Sequence, residues 1–269
     1  MPLVNKKKLL IAAVILALPS LLALFIFFKL QAQKRPITSV ERMQTVPKII
    51  LWAWERPEDL NFINTSEVGV AVLAMTIELQ DNDAKLRPRL QPLQIPKGTY
   101  LVAVTRLATD KQNKAALSIK QRDKIIASVF TLLRNPQVSA VQIDFDAKES
   151  ERDFYRDLLT QLRKQLPETM PLSITALASW CLSDDWIANL PVDEAVPMLF
   201  RMGLDTKQII NRLEAGGDFR PEIAKQSLGI STDEPLPRLP SGRRVYIFTE
   251  RAWSEEAAQK MFQEVKQWQ

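Results

Sequence analysis

Histidine is absent from this chain and cysteine occurs once, at Cys181. Without histidine there is no Ser-His-Asp triad, no Cys-His pair and no histidine-bearing zinc site. A single cysteine allows no intramolecular disulfide, and with no histidine to activate it Cys181 reads as a small core hydrophobe. Glycine is scarce as well, seven in 269 residues. None falls into the glycine fingerprint by which an open, doubly wound sheet holds a dinucleotide. What remains for chemistry is carboxylates, arginine, lysine, tyrosine and hydroxyls, so no cofactor and no metal are expected.

Hydrophobic residues make up 46% of the chain and charged residues 25%, the balance of a globular protein with a core to bury and far from the composition of disorder. A formal charge of +5 taken alone points to an acidic partner such as nucleic acid. Its distribution points elsewhere. Lys6, Lys7, Lys8, Lys29, Lys34 and Arg35 stand in a stretch with no acid, which leaves the rest of the chain near neutral and no nucleic-acid partner expected. These residues flank the apolar run Leu9 to Phe28, 20 residues broken only by Pro19 and Ser20. At ~1.5 Å per residue the run just crosses the ~30 Å hydrocarbon core of a bilayer.

That run is longer than the ~7–15 residue apolar segment of a cleaved secretory signal and no A-x-A triplet follows it, though cleavage near Ala32 stays open as the alternative. The expectation is an uncleaved signal anchor with its flanks over residues 1–35, the membrane helix at residues 9–28, a linker over 36–47 and one domain over 48–269. Lys6 to Lys8 favour an N-terminus on the inner side. The chain is then a single-pass protein of the inner (cytoplasmic) membrane whose C-terminal domain faces the periplasm or the cell exterior.

From Lys48 onward, apolar runs of strand length alternate with segments of helical period, which predicts an α/β domain with parallel strands. The strands are Lys48 to Trp54, Gly69 to Leu79, Tyr100 to Leu107, Ala140 to Asp146, Leu172 to Ala178, Ala195 to Arg201, Ser227 to Ser231 and Arg244 to Thr249. Helices are predicted over Lys120 to Arg134, Glu151 to Leu166 and Asp205 to Ala215, and after the N-cap Ser254. Eight such strands match a (β/α)8 TIM-type barrel. It would be irregular at unit 2, where Pro88, Pro92 and Pro96 argue for a hairpin or long loop over Asp81 to Gly98, and at unit 7, where Pro235 to Gly242 replaces a helix. An open doubly wound sheet is the alternative.

Ala140 to Asp146 is the most informative stretch, because period-two alternation puts Val141, Ile143 and Phe145 on one face and Gln142, Asp144 and Asp146 on the other. In a barrel the second set points inward, with Asp146 at the C-terminal rim where sites on this fold are built. Buried carboxylates cost several kcal/mol unless paired; Arg106 and Arg201, on inward faces near strand ends, are candidate partners. Asp144, Asp146 and Glu250 are the candidate catalytic acids, by analogy with the paired carboxylates of glycoside hydrolysis. Glu55, Trp54, Arg106, Thr175, Trp180 and Arg201 are candidate substrate-binding residues. Trp54, Trp180 and Trp253 near strand ends would offer platforms to sugar rings, and Glu78 is a further strand-end acid. The alternative is structural: Asp144 fixes the interior through an arginine and the tryptophans fill the core.

Four motifs, Trp52-Ala-Trp-Glu-Arg-Pro-Glu-Asp-Leu60, Val141-Gln-Ile-Asp-Phe-Asp-Ala147, Tyr155-Arg-Asp-Leu-Leu-Thr-Gln-Leu-Arg163 and Leu172-Ser-Ile-Thr-Ala-Leu-Ala-Ser-Trp180, together resemble the bacterial family known as domain of unknown function 3142, from about Lys48 to Glu250. The resemblance implies a glycoside-hydrolase-like barrel and an envelope location, and no catalytic residues. A looser likeness is to the chitinase-type barrel, whose fourth strand reads D-x-x-D-x-D-x-E. Asp144 and Asp146 match its D-x-D, while Lys148 stands at the place of the acid Glu, so that Asp146 or another strand would have to donate the proton. Two functions follow as expectations: an anchored barrel that binds or hydrolyses a polysaccharide, or a non-catalytic envelope scaffold. Oligomeric state is not legible.

Overall fold

The computed structural model describes residues 35–109, 114–182, 184–235 and 239–268. The chain divides into two units, Met1–Thr38 and Ser39–Gln269. The run expected to cross a membrane lies outside the described residues, and among those described no helix is long and apolar enough to do so.

In chain order the second unit consists of α1 (Ser39–Met43), β1 (Ile49–Ala53), β2 (Glu58–Asp59), β3 (Val68–Gln80), β4 (Asp83–Pro88), β5 (Leu93–Gln94), β6 (Leu101–Thr109), α2 (Ile119–Leu132), β7 (Val138–Asp144), α3 (Arg152–Gln165), β8 (Leu172–Leu177), α4 (Ala178–Leu182), β9 (Glu194–Met198), α5 (Thr206–Glu214), β10 (Ser227–Ser231), β11 (Arg244–Phe248) and α6 (Glu255–Lys266). Eight parallel strands run β1-β3-β6-β7-β8-β9-β10-β11, and β1 pairs with both β3 and β11, so the sheet closes into a TIM-type barrel. Closure removes the open doubly wound alternative.

The two faces of each strand pack as alternation requires. Ile50, Trp52, Ala71, Leu73, Val102, Val104, Val196, Tyr246 and Phe248 fill the interior. Val141, Ile143 and Phe145 face outward, in one cluster with Ile125 and Val129 of α2 and Leu158 and Leu162 of α3. Cys181 is buried there and burial pushes its thiol far up. The helices start where the chain supplies caps: Ser118 Oγ accepts from Gln121 N while Gln121 Oε1 accepts from Ser118 N, and Ser254 Oγ accepts from Ala257 N, each satisfying amides that the first turn leaves open.

The irregular units are more numerous than the sequence pattern predicts. Unit 2 is the expected hairpin, with β4 antiparallel to the outer half of β3 and a tight turn at Asp81, φ 43°, a conformation aspartate tolerates. The β10–β11 connection holds no helix among its described residues. The connection after β1 lacks a helix too, because Asp59 Oδ1 accepts from Asn61 N and Asn64 Oδ1 from Ser66 N. Such local side-chain bonds compete with helix formation.

Part of the stretch expected as linker is built into the barrel floor. Met43 and Val46 close the interior from below, and Arg42 pairs with the buried Asp193 at 2.7 Å. Beside them the wholly buried Glu194 accepts from Arg244 Nη1 and, at 2.9 Å, from the Tyr246 hydroxyl. Arg244 Nε also donates to the Pro47 carbonyl at 2.9 Å. Burial, with Glu194 adding to it, pushes the Tyr246 phenol well up.

Candidate functional site

The site is at the opposite, C-terminal end of the strands. β7 ends at Asp144, whose carboxylate is 4% exposed; Oδ1 accepts from the Thr175 hydroxyl at 2.7 Å and Oδ2 from Arg106 Nη1 at 3.0 Å. One pleat deeper, Gln142 Nε2 donates to Ser173 Oγ at 3.0 Å. β6 and β7 place Arg106 directly beside Asp144, so the pair is a consequence of strand register. The ion pair and the hydroxyl together satisfy a carboxylate that would otherwise cost several kcal/mol to bury.

Asp146 lies two residues past the end of β7, its side chain 49% exposed and its nearest cation Arg106 Nη2 at 4.0 Å. Removal from bulk water raises its carboxyl above the ordinary aspartate value, the Asp144 carboxylate adds to that, and Arg106 pulls the other way.

Beyond Arg106, which lines it, opens a cavity of about 530 Å³ whose lining does not include Asp146. Its apolar part is Trp54, Phe200 and Phe248, with ring centroids 4.8 Å apart for Phe200 and Phe248 and 6.2 Å for Trp54 and Phe248. The wholly buried Trp52 stacks beneath Phe248 at 4.4 Å. The rim is charged. The Arg106 guanidinium sits over the Trp54 ring, 5.8 Å from its centroid. Arg201, in a left-handed backbone conformation at φ 51°, pairs with Glu250 and has its backbone N–H held by Glu234 Oε1 at 2.9 Å. Arg56 spends its donors on Glu58 and on the carbonyls of Thr249, Glu250 and Arg251, and so builds the wall.

Of the residues singled out in the sequence, the structure brings Asp144, Asp146, Arg106, Thr175, Trp54, Arg201 and Glu250 to this end of the barrel. Glu55 does not line the cavity; it is exposed on the connection after β1. Trp180 is a correction. It belongs to α4 and is buried in the outer layer, edge-on to Trp186 at 4.9 Å, because the chain turns into a helix immediately after β8. Trp253 is likewise buried, its indole donating to the Trp52 carbonyl at 2.9 Å. Phe200, Phe248 and Arg56 were not among the expected residues. Alternation from Tyr246 would have placed Phe248 inward; Arg56, in a proline-containing loop, carried no comparable signal.

Lys148, at the place of the acid glutamate, keeps a side chain 63% exposed. Its ammonium lies 3.6 Å from Glu151 and its backbone N–H donates to Glu151 Oε2 at 2.7 Å, starting the turn before α3. Among the described residues no group of three or more histidine, cysteine, aspartate or glutamate side chains is placed to hold a metal ion.

Fold and site together define an eight-stranded barrel with a carboxylate pair and an aromatic floor at its C-terminal mouth. Residues 97–200 match the family described as Domain of unknown function (DUF3142). That span includes three of the four motifs read from the sequence, and Trp52 to Leu60 lies outside it. No curated protein matches the chain. Among solved structures, a Streptomyces coelicolor protein described as chitinase A is similar at TM-score 0.51 and 10% identity, over 82% of this chain and 96% of that one. A family GH18 chitinase from Chromobacterium violaceum gives TM-score 0.46 at 11% identity, over 80% and 82%. The chitinase domain of the spore coat protein CotE from Clostridium difficile gives 0.42 at 14%, over 78% and 70%. At such identities the first likeness speaks for the fold alone.

Proposed function

We propose that the mouth of this barrel binds a glycan. The observation that carries the reading is the floor of the cavity, where Trp54, Phe200 and Phe248 meet under a rim of Arg106, Arg201 and Glu250. A sugar ring has an apolar C–H face and a polar edge; aromatic rings suit the first, and charged groups placed around them suit the hydroxyls of the second. The fold shared with a protein described as a chitinase supports the reading at the level of architecture. Trp54→Ala should lower affinity about tenfold, the worth of one such aromatic contact. Titration of the protein with chito-oligosaccharides and peptidoglycan fragments checks this. Unchanged affinity of the variant for every glycan that the wild type binds would overturn the reading.

Hydrolysis of the bound glycan is the second reading, favoured by the raised Asp146 carboxyl at the edge of the mouth. Without turnover the same mouth serves a glycan-binding scaffold. We also propose that residues 9–28 hold the chain in the inner membrane with the barrel exported, on the strength of that apolar run and its lysine flanks. A reporter fused after Gln269 should be active only on the exported side, and activity confined to the cytoplasm would reverse the orientation.

A further inference from the structure

The cations in the cavity wall are all arginine, with no lysine among them and Glu250 as the acid of the rim. Arg56 is consumed by the wall, which leaves two guanidiniums facing the cavity. Arg106 is anchored by the almost wholly buried Asp144 on Nη1 and has the half-exposed Asp146 4.0 Å from Nη2, while its side chain stays 37% exposed and lines the cavity. Arg201 has a side chain 66% exposed, with the exposed Glu250 on one guanidinium nitrogen and the Glu234 carboxylate on its backbone N–H. A planar guanidinium fork is matched by a carboxylate or a sulfate ester, which it binds through two parallel bonds, whereas a hydroxyl uses only one donor.

The same preference continues beyond the mouth. β3 and β6 outrun the other barrel strands, and β4 pairs with the overhang. Register puts Arg87 opposite Thr76 and Thr76 beside Arg106, with Lys85 opposite Glu78 one row further out. The inner face of the barrel is thereby extended on one side into a shelf carrying Arg106, Arg87 and Lys85. Glu78, the acid of this shelf, lies 3.9 Å from Arg87.

We propose that the glycan taken by this mouth is anionic, a polymer whose sugars carry carboxylate or sulfate groups, with Arg201 as the residue that selects the charge and the shelf receiving the chain beyond it. This deepens the glycan reading and rests on it. An anionic substituent replaces Glu250 on Arg201 while its sugar ring lies on Trp54 and Phe248. Arg106, held by Asp144, supplies a fixed second donor.

Matched polymers test it: polygalacturonate against its methyl ester, and dextran sulfate against dextran, titrated into the full-length protein in detergent and calcium-free buffer. The charged member of at least one pair should bind about tenfold or more tighter than its neutral partner, as charge-assisted hydrogen bonds imply. Which pair responds tells carboxylate from sulfate. Arg201→Ala should remove most of that ratio, Arg201→Gly should do the same without backbone strain, and Arg201→Lys should restore only part of it. Equal affinity within both pairs overturns the anionic inference and leaves the glycan reading standing. A charged preference untouched by either Arg201→Ala or Arg201→Gly overturns it too, by locating the attraction elsewhere. Silence from all four polymers and from chito-oligosaccharides takes down the glycan reading itself.

Discussion

Removing the Glu194 carboxylate, as Glu194→Ala, should destabilise the barrel by ~3–5 kcal/mol, the cost of leaving a buried charge without its partner. Glu194 is wholly buried, and the variant strands the Arg244 guanidinium and the Tyr246 hydroxyl in the floor. Arg244 keeps its bonds to the carbonyls of Met43, Val46 and Pro47, but carbonyl dipoles do not neutralise a charge. Replacing both partners by apolar residues, Glu194→Leu with Arg244→Met, should recover much of the loss, since a buried ion pair against packed hydrophobes is often close to neutral. Urea unfolding of the wild type, the single variant and the double variant measures the three. A single-variant loss below ~1 kcal/mol would mean that water solvates the floor and that the pair is not buried in the energetic sense.

If the mouth hydrolyses its glycan, Asp146→Asn should cut turnover by ~10²–10⁴, the usual worth of a general acid, with glycan affinity nearly unchanged. Asp146 is the group to test because its side chain is half exposed at this end of the barrel and removal from bulk water, with the Asp144 carboxylate beside it, raises its carboxyl. Glu250 is already bound to Arg201, and Asp144 is saturated by Thr175 and Arg106. A pH series gives a second readout. With its folded value raised, the carboxyl costs nothing while protonated in both states, and stability falls as pH rises from the ordinary 3.8 through the raised value. Asp146→Asn does not ionise there, so its stability should hold flatter over that window. Reducing-sugar release that survives Asp146→Asn at full rate would assign the proton to another group, whereas no release by the wild type leaves a binding scaffold.

The parts of this architecture that alternation controls were legible in the sequence. Gln142 and Asp144 turn inward and Val141, Ile143 and Phe145 outward because a strand buried on both faces must still sort its polar side chains. Arg106 beside Asp144 was legible for the same reason, an inward arginine on one strand facing an inward acid on its neighbour. What failed was reading position along the chain as position in space. Trp54 and Trp180 each follow a strand, yet the chain after β1 runs across the mouth while the chain after β8 winds into α4 and carries Trp180 to the outer layer. Which course a strand end takes depends on turn chemistry a few residues further on. The helix α1 escaped notice for another reason: its five residues are too few for a period to show, and long-range bonds to Asp193 and Arg244 hold it in place.

The floor contacts also set a timetable for the growing chain. Arg244 reaches the Met43 carbonyl across 201 residues of sequence, and β1 has no partner on one edge until β11 arrives. Until Arg244–Phe248 is in place the sheet cannot close, its first strand lacks a partner on one side and the bonds of Arg244 to the floor are missing. Contacts this remote in sequence slow folding, and bare strand edges in the waiting chain invite pairing with other molecules. The strand Arg244–Phe248 therefore acts as the clasp of the ring: its arrival seals the floor and covers the waiting edge in a single step.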